Sequence, residues 1–423
     1  MAERDRLAID GGRPVLPRPL DTGKGVALLG DEERKAVLEV LDSRSLFRYY
    51  GPNLLRKVEA FEAVACAQLG CRHAVATSSG TAALRTALAA LGVGCGDEVV
   101  VPAFTFIATV NAVVTAGAVP VFAEVDDSLG LDPGRLDACI TSRTAAVVPV
   151  HLENVGCDMD PVLQVTRRRG VPVVEDAAQS MGATYHGRAL GTLGDLGCYS
   201  LQLEKNVTSG EGGLVVSDDQ LLYQRAARYQ DQGGQFVTSG GSERDDTGLD
   251  PFVGENLRMT ELAGAIAEVQ MAKLPGLLAA QRANQRRILE GIGRLPGVEL
   301  RRRPDPEGDG GSSISMFLPE AGLAKRFAKA LIAEGVPAGQ MYRGRPVYAT
   351  ESILAKRTAS GKGGPWNCAE HPTEVEYRIG MCPQTEELVA RSVIVVVAAG
   401  YTAEQCDAVT EAIVKVADAL VGR

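Results

Sequence analysis

The sequence predicts an α/β protein with a large, mostly parallel sheet covered by helices, followed by a smaller C-terminal α/β domain. Three observations carry this reading. Short β-branched runs alternate with amphipathic stretches from about residue 30 to 216. A long helical pattern covers 260–294, and strand and helix signals resume beyond it. With 423 residues the chain exceeds one small core, and the division falls at 1–295 and 296–423.

Residues 33–41 and 55–69 carry apolar side chains at three- and four-residue intervals, the mark of helices with one buried face. Residues 82–91 repeat the pattern directly after a Ser-Gly-Thr turn. The β-branched runs are 98–101, 119–125, 145–150, 171–175, 197–201 and 213–216, with helical stretches at 107–116 and 161–169. Such alternation with short connections gives parallel strands covered on both faces. The stretch 232–250 is rich in Gly, Ser and Asp and reads as a mobile surface loop. The helix over 260–294 is expected to break near Pro275. Beyond a Gly/Asp/Pro stretch at 304–313, the second domain is assigned strands at 315–318 and 393–397 and helices at 323–334 and 403–420. A long irregular insertion at 343–381 interrupts it.

Composition narrows the function. Apolar residues are 45% and charged residues 23%, as in ordinary globular enzymes. A net charge of −9 leaves no basic excess for nucleic acid or an anionic membrane. MAERDRLAID lacks an apolar signal core, and later apolar stretches are short and interrupted, so a cytoplasmic protein is expected. Nine cysteines without CxxC pairs and four histidines without ligand spacing are read as reduced thiols and no metal site.

Three segments bear chemistry. In TSSGTAALRTAL (77–88) a small polar turn enters a helix, so free N–H groups and the positive helix end point the same way, as at phosphate sites. Gly80 permits close backbone approach and Thr81 adds a hydroxyl; a plain N-cap gives the same sequence. In VVEDAAQS (173–180), Asp176 ends a buried strand, where ligands bind in open parallel sheets. A carboxylate there can pair with a protonated ring nitrogen, or simply cap the next helix. In GDLGCYSLQLEKNVTSGEGG (194–213), Lys205 lies between a strand and a glycine-rich turn. Partial desolvation would favour its neutral, nucleophilic form, although a loop lysine is more often just solvated.

Together and in this order, these segments resemble the DegT/DnrJ/EryC1/StrS aminotransferases of fold type I among pyridoxal 5'-phosphate (PLP) enzymes. The resemblance runs from about Ala8 into the C-terminal domain. It is strongest over 78–126 and extends through PVHLENVGCDMD, VVEDAAQSMGA, SLQLEKNVTSGEGG and GENLRMTEL. It implies that Lys205 is the Schiff-base lysine, that Asp176 pairs with the pyridine nitrogen, and that Gln179 lies near the phenolic oxygen. It further implies that Phe106 stacks on the ring and that Gly80, Thr81 and Ser200 bind the phosphate. Asn256, with Arg258 assisting, would reach the cofactor of a neighbouring subunit, which implies a homodimer with shared sites.

By the same resemblance, an amino group passes from glutamate or glutamine to a nucleotide-linked keto-sugar or a keto-cyclitol, in amino-sugar or antibiotic biosynthesis. AIDGG and SLFRYYG tilt the likeness toward cyclitol or antibiotic-type substrates. A dehydratase, in which histidine commonly replaces the lysine, and a PLP-binding regulatory protein are the alternatives. Glu153 and Asn154 stand where many relatives read HLYG, so one pocket wall departs from the pattern, and Leu257 replaces a usual aromatic. Arg48, Tyr49 and Tyr50 are candidates either for substrate contacts or for a dimer interface.

Overall fold

The computed structural model describes residues 6–234, 249, 252–370 and 375–422. The expected loop at 232–250 therefore lies outside the described residues, apart from 232–234 and 249.

In chain order the large sheet and its cover comprise α1 (Asp31–Ser43), α2 (Lys57–Leu69), β1 (His73–Thr77), α3 (Gly80–Leu91), β2 (Glu98–Pro102), α4 (Ile107–Ala116) and β3 (Val119–Ala123). They continue with α5 (Pro133–Cys139), β4 (Thr144–Val147), α6 (Met159–Arg169), β5 (Val174–Asp176) and a hairpin of β6 (Thr184–Tyr185) and β7 (Arg188–Ala189). β8 (Leu196–Ser200), β9 (Gly213–Ser217), α7 (Gln220–Tyr229) and α8 (Glu261–Ile292) complete this part. Strands β3-β2-β4 and β5-β8-β9-β1 are joined by parallel bridges at Val147–Val173 and Val150–Asp176. Only β9 runs against its neighbours, so the expectation of a mostly parallel sheet holds.

The sequence explains this layering. β2, β8 and β9 are buried at every residue, as strands covered on both faces must be. On one face Leu84, Leu88, Val110 and Val113 of α3 and α4 pack against Val99 and Val101. On the other, Phe61 and Ala65 of α2 meet Met271 and Leu274 of α8. β1 was not anticipated: HAVAT is five residues long and merges into the turn that follows.

α8 runs unbroken through Pro275, which corrects the expected interruption. Pro275 cannot donate to the carbonyl of Met271, one turn earlier. That carbonyl instead accepts a hydrogen bond from Gln68 Nε2 of α2 at 3.0 Å, so the group orphaned by the proline is satisfied.

The C-terminal part contains β10 (Glu299–Leu300), β11 (Ser313–Phe317), α9 (Ala321–Ala333), β12 (Ala338–Gly339), α10 (Glu351–Leu354), α11 (Pro383–Arg391), β13 (Ser392–Val396) and α12 (Ala403–Leu420). Its sheet, β10-β11-β13-β12, is antiparallel. Phe327 and Leu331 of α9 and Val409 and Ile413 of α12 cover it. Leu7 joins this core, and the amides of Ala8 and Val15 donate to the Glu334 carboxylate at 2.8 and 3.0 Å. The N-terminal segment thus docks on the C-terminal layer before crossing to the large sheet.

Cys95 and Cys368 are joined in a disulfide, with Cα atoms 6.2 Å apart, and this corrects the reading of all nine cysteines as thiols. A separation of 273 residues hides such a pair from any spacing argument. Glu370 lies beside both sulfurs. No helix among the described residues is long and apolar enough to cross a membrane.

Candidate active site

β1, β5 and β8 run in the same direction, so their carboxyl ends open on one side of the sheet, where ligands bind in such folds. A cavity of about 600 Å³ lies there. Seven of the eight residues singled out from the sequence line it: Gly80, Thr81, Phe106, Asp176, Gln179, Ser200 and Lys205. Asn256 does not; it is exposed, and its backbone bridges to Asp231.

The turn before α3 faces the end of β8. Ser79 Oγ accepts from the amide of Ala82 at 3.1 Å, so the N-cap is real and coexists with the opening toward the cavity. A Cβ on Gly80 would lie 2.7 Å from Ser200 Cβ, so only glycine allows this apposition. The result is a small cradle of hydroxyls and helix-end amides.

Asp176, the last residue of β5, is buried. Its Oδ2 accepts from Thr109 Oγ1 at 2.8 Å, and its Oδ1 accepts from the Ala178 amide at 3.1 Å. Burial raises its carboxyl above the ordinary value, although these hydrogen bonds and the charge of Lys205 oppose the rise. Among the described residues no lysine or arginine pairs with it. A cation reaching this carboxylate would therefore relieve a desolvation cost.

Beside it, His151 and Glu175 are fully buried, with Nε2 and Oε2 2.9 Å apart. Nδ1 accepts from the Cys157 amide at 3.0 Å, which puts the imidazole proton on Nε2 and makes it the donor to Glu175. The amides of Gly191, Leu193 and Gly194 also donate to Glu175. This network braces the strand end that carries Asp176.

Lys205 follows β8 on a turn closed by its own amide and the Gln202 carbonyl. Burial, and then the nearby charge of Lys24, pull its amine below the ordinary value, while Glu153, Asp176 and Glu204 push the other way. Lys24 arrives from far away in sequence. Gly25 donates its amide to the Lys205 carbonyl at 3.1 Å, and a Cβ on Gly25 would sit 2.6 Å from the Asn206 carbonyl oxygen. That close crossing brings Lys24 into the cavity wall, where its Nζ lies 3.2 Å from Glu153 Oε2. Burial works against the charge of Glu153, yet Lys24, Lys205 and Arg301 hold its carboxyl below the ordinary value.

Gln179 links two other walls. Its Oε1 accepts from the Glu153 amide at 3.2 Å, and its Nε2 donates to the Tyr342 hydroxyl at 2.8 Å. Tyr342 also approaches Phe106, with ring centroids 6.1 Å apart. Lys24, Thr109 and Tyr342 also line or brace this site, although no sequence motif marks them. Thr109 lies in the first turn of α4, just after the PAFTF stretch, and its hydroxyl is 2.8 Å from that of Thr105, so it was findable by position; the other two carry no local signal.

Arg48 is not available to a ligand. Its guanidinium pairs with Glu62 at 2.8 Å inside the fold, and Tyr49 accepts from Gln230. Arg258 pairs with Asp231 at 2.8 Å and lies over the Phe47 ring.

Comparison with known proteins agrees with this architecture. The model of the DegT/DnrJ/EryC1/StrS aminotransferase family matches residues 28–414. The GDP-perosamine synthase of Caulobacter vibrioides is 40% identical over 254 residues, 60% of this chain and 65% of that protein, so the match spans a little under two thirds of its length. A putative L-glutamine:3-amino-2,3-dideoxy-scyllo-inosose aminotransferase of Streptoalloteichus tenebrarius is 35% identical over 78% of each chain. The crystal structure of DesI, determined in the presence of its TDP-sugar product, superposes with a TM-score of 0.78 at 28% identity, covering 97% of this chain and 96% of that one. The chain belongs to the DegT/DnrJ/EryC1/StrS aminotransferase family, a family of PLP-dependent enzymes, and has their fold type I architecture.

Proposed function

We propose that this protein is an aminotransferase that holds PLP on Lys205 and moves an amino group from glutamate or glutamine to a keto-sugar or keto-cyclitol. The observation that carries the reading is the convergence of Lys205, Asp176 and the Gly80–Thr81–Ser200 cradle on one cavity, each with the chemistry its part of the cofactor needs. The fit is physical as well as compositional. A buried carboxylate lacking a cation suits a protonated ring nitrogen, and the glycine-dependent gap at Ser200 suits a phosphate oxygen.

In this reading Ser200, Thr81 and the α3 amides would hold the phosphate, Phe106 would line the side of the ring, and Gln179 would lie near the phenolic oxygen. PLP supplies an electron sink for bonds at the carbon bearing the amino group. Lys205 Nζ, whose amine burial and the charge of Lys24 pull below the ordinary value, would anchor the cofactor and serve as the group that carries the proton at that carbon. Asp176 would hold a proton on the ring nitrogen, and the Thr109 hydroxyl, donating to its Oδ2, fixes the carboxylate. The His151–Glu175 pair keeps the strand end rigid. Lys205 also separates this reading from dehydration, for which relatives carry histidine at that position.

The same reading makes the molecule a cytoplasmic homodimer in which Asn256 serves the partner's cofactor. It divides the chain near residue 295 into a cofactor-binding and a small domain. The test is spectral. PLP-loaded protein is mixed with glutamine, then glutamate, and the absorbance near the visible edge is followed. Conversion of the coloured form, with release of the matching keto acid, is the expected result. An unchanged spectrum with both donors sinks the proposal.

A further inference from the structure

Cys95 precedes β2, at the opposite end of that strand from Thr105 and Phe106, and neither it, Cys368 nor Glu370 lines the cofactor cavity. Cys95 sits in a turn. The Asp97 amide donates to the Gly94 carbonyl at 3.2 Å, and the Gly94 amide donates to Asp97 Oδ2 at 2.9 Å. Cys368 arrives on the insertion, where its amide donates to the Pro365 carbonyl at 3.3 Å. Close by, Trp366 Nε1 donates to the Tyr377 hydroxyl, which donates in turn to the Pro120 carbonyl of β3 at 2.7 Å. Both cysteines are thus presented by ordered turns.

The disulfide leaves Glu370 unexplained. Its Oε2 lies 3.3 Å from Cys95 Sγ and 3.0 Å from Cys368 Sγ. Sulfurs joined in a disulfide carry no proton, so they offer this carboxylate no hydrogen bond. No lysine, arginine or histidine among the described residues pairs with it. The approach is nevertheless built in at Gly96, whose φ is +94°. A Cβ there would lie 2.9 Å from Glu370 Cβ, so backbone and contact both need glycine.

In the reduced protein the same groups are two thiols, able to ionise, and a carboxylate, with donor atoms within 4.8 Å of one another. A cation is what such a cluster lacks. Cα atoms 6.2 Å apart suit two thiolates on one tetrahedral ion as well as they suit a disulfide. Metal–sulfur bonds of about 2.3 Å set the sulfurs about 3.8 Å apart, which side-chain rotation can supply. Thiolates favour zinc-like ions over magnesium or calcium, the carboxylate adds a third ligand, and the exposure of Cys95 leaves water for the fourth.

We propose that in the reduced protein Cys95, Cys368 and Glu370 bind one thiophilic divalent cation of the zinc kind, which ties the insertion to the head of β2. The disulfide is the oxidised form of the same site. A low-molecular-weight disulfide converts one into the other: it takes two electrons from the two thiolates and is split into two thiolates itself. The Cys95–Cys368 bond forms as the cation leaves. This site stands apart from the cofactor and does not rest on the aminotransferase reading.

The experiment uses the full-length, PLP-loaded protein. It is treated with a phosphine reductant, and alkylation with peptide mapping establishes that Cys95 and Cys368 are free. Zinc chloride is then added in equilibrium dialysis, and bound zinc is measured by elemental analysis. The expected result is one zinc per chain with a dissociation constant of about a micromolar or below, and protection of both thiols from alkylation. Oxidation with glutathione disulfide should abolish this binding. Cys368→Ser should weaken it about a hundredfold or more, and Glu370→Gln, which keeps both sulfurs, about tenfold, with the cofactor absorbance unchanged in each. Absence of zinc from protein whose two thiols are shown free overturns the proposal, as does a Cys95–Cys368 bond that resists the reductant. Undiminished binding in Cys368→Ser places the zinc elsewhere and overturns it equally. Undiminished binding in Glu370→Gln overturns the three-ligand set.

Discussion

Two walls of one cavity are held by different physics. The wall built from the ends of β5 and β8 and the start of α3 is closed by short-range contacts within the large sheet. Asp176 takes hydrogen bonds from Thr109 and Ala178, and Gly80 abuts Ser200. The opposite wall is assembled from remote pieces: Lys24 on the N-terminal segment, Glu153 after β4, and Tyr342 from the C-terminal part. Glu153, Asn154, Tyr342 and Arg343 all have left-handed backbones, with φ between 47° and 65°. Each such residue costs roughly 1 kcal/mol or more and persists only where its surroundings fix it. The difference suggests a division of labour. The first wall suits a cofactor common to many relatives; the second suits the partner molecule particular to this chain.

The comparison can be broken most readily at Asp176. Asp176→Asn should keep cofactor bound through the cradle yet lower turnover by about 100-fold or more, because the group facing the ring nitrogen no longer carries charge. Holoenzyme absorbance and steady-state rates check both halves, and near-normal turnover would remove Asp176 from the chemistry. Gly80→Ala places a Cβ 2.7 Å from Ser200 Cβ. Overpacking of this kind costs about 1–3 kcal/mol, so PLP should bind roughly tenfold or more weakly in a fluorescence titration. Unchanged affinity would show that the phosphate lies elsewhere.

A smaller effect sharpens the second wall. Lys24→Met removes a positive charge that disfavours protonation of Lys205. Glu153, left without its partner, then acts with Asp176 and Glu204 to favour the protonated amine. The amine should titrate at higher pH, so the acidic limb of the pH–rate profile moves upward. A downward shift, or none, would contradict the placement of Lys24 beside the lysine.

The two walls also differ in how far the sequence discloses them. Gly80, Asp176 and Lys205 sit in contiguous stretches where a strand ends or a helix begins, and backbone geometry there dictates the residue types nearby. The alternation of β-branched runs likewise revealed most of the sheet. Lys24, Tyr342, the Cys95–Cys368 pair and the Gln68–Met271 contact that carries α8 through Pro275 depend on segments hundreds of residues apart. Their local sequences are ordinary, and only the folded arrangement gives them meaning. Arg48 shows the converse: a loop arginine that was a candidate for substrate contacts or a dimer interface pairs instead with Glu62 inside the fold.

The central claim is that one lysine carries the cofactor, and chemical trapping tests it most directly. Protein incubated with PLP is reduced with borohydride, digested and mapped by mass spectrometry. The account predicts a single cofactor-derived mass addition, on Lys205, and none on that peptide in Lys205→Ala. Stoichiometric labelling of Lys24 or any other lysine, or no labelling at all, would contradict it.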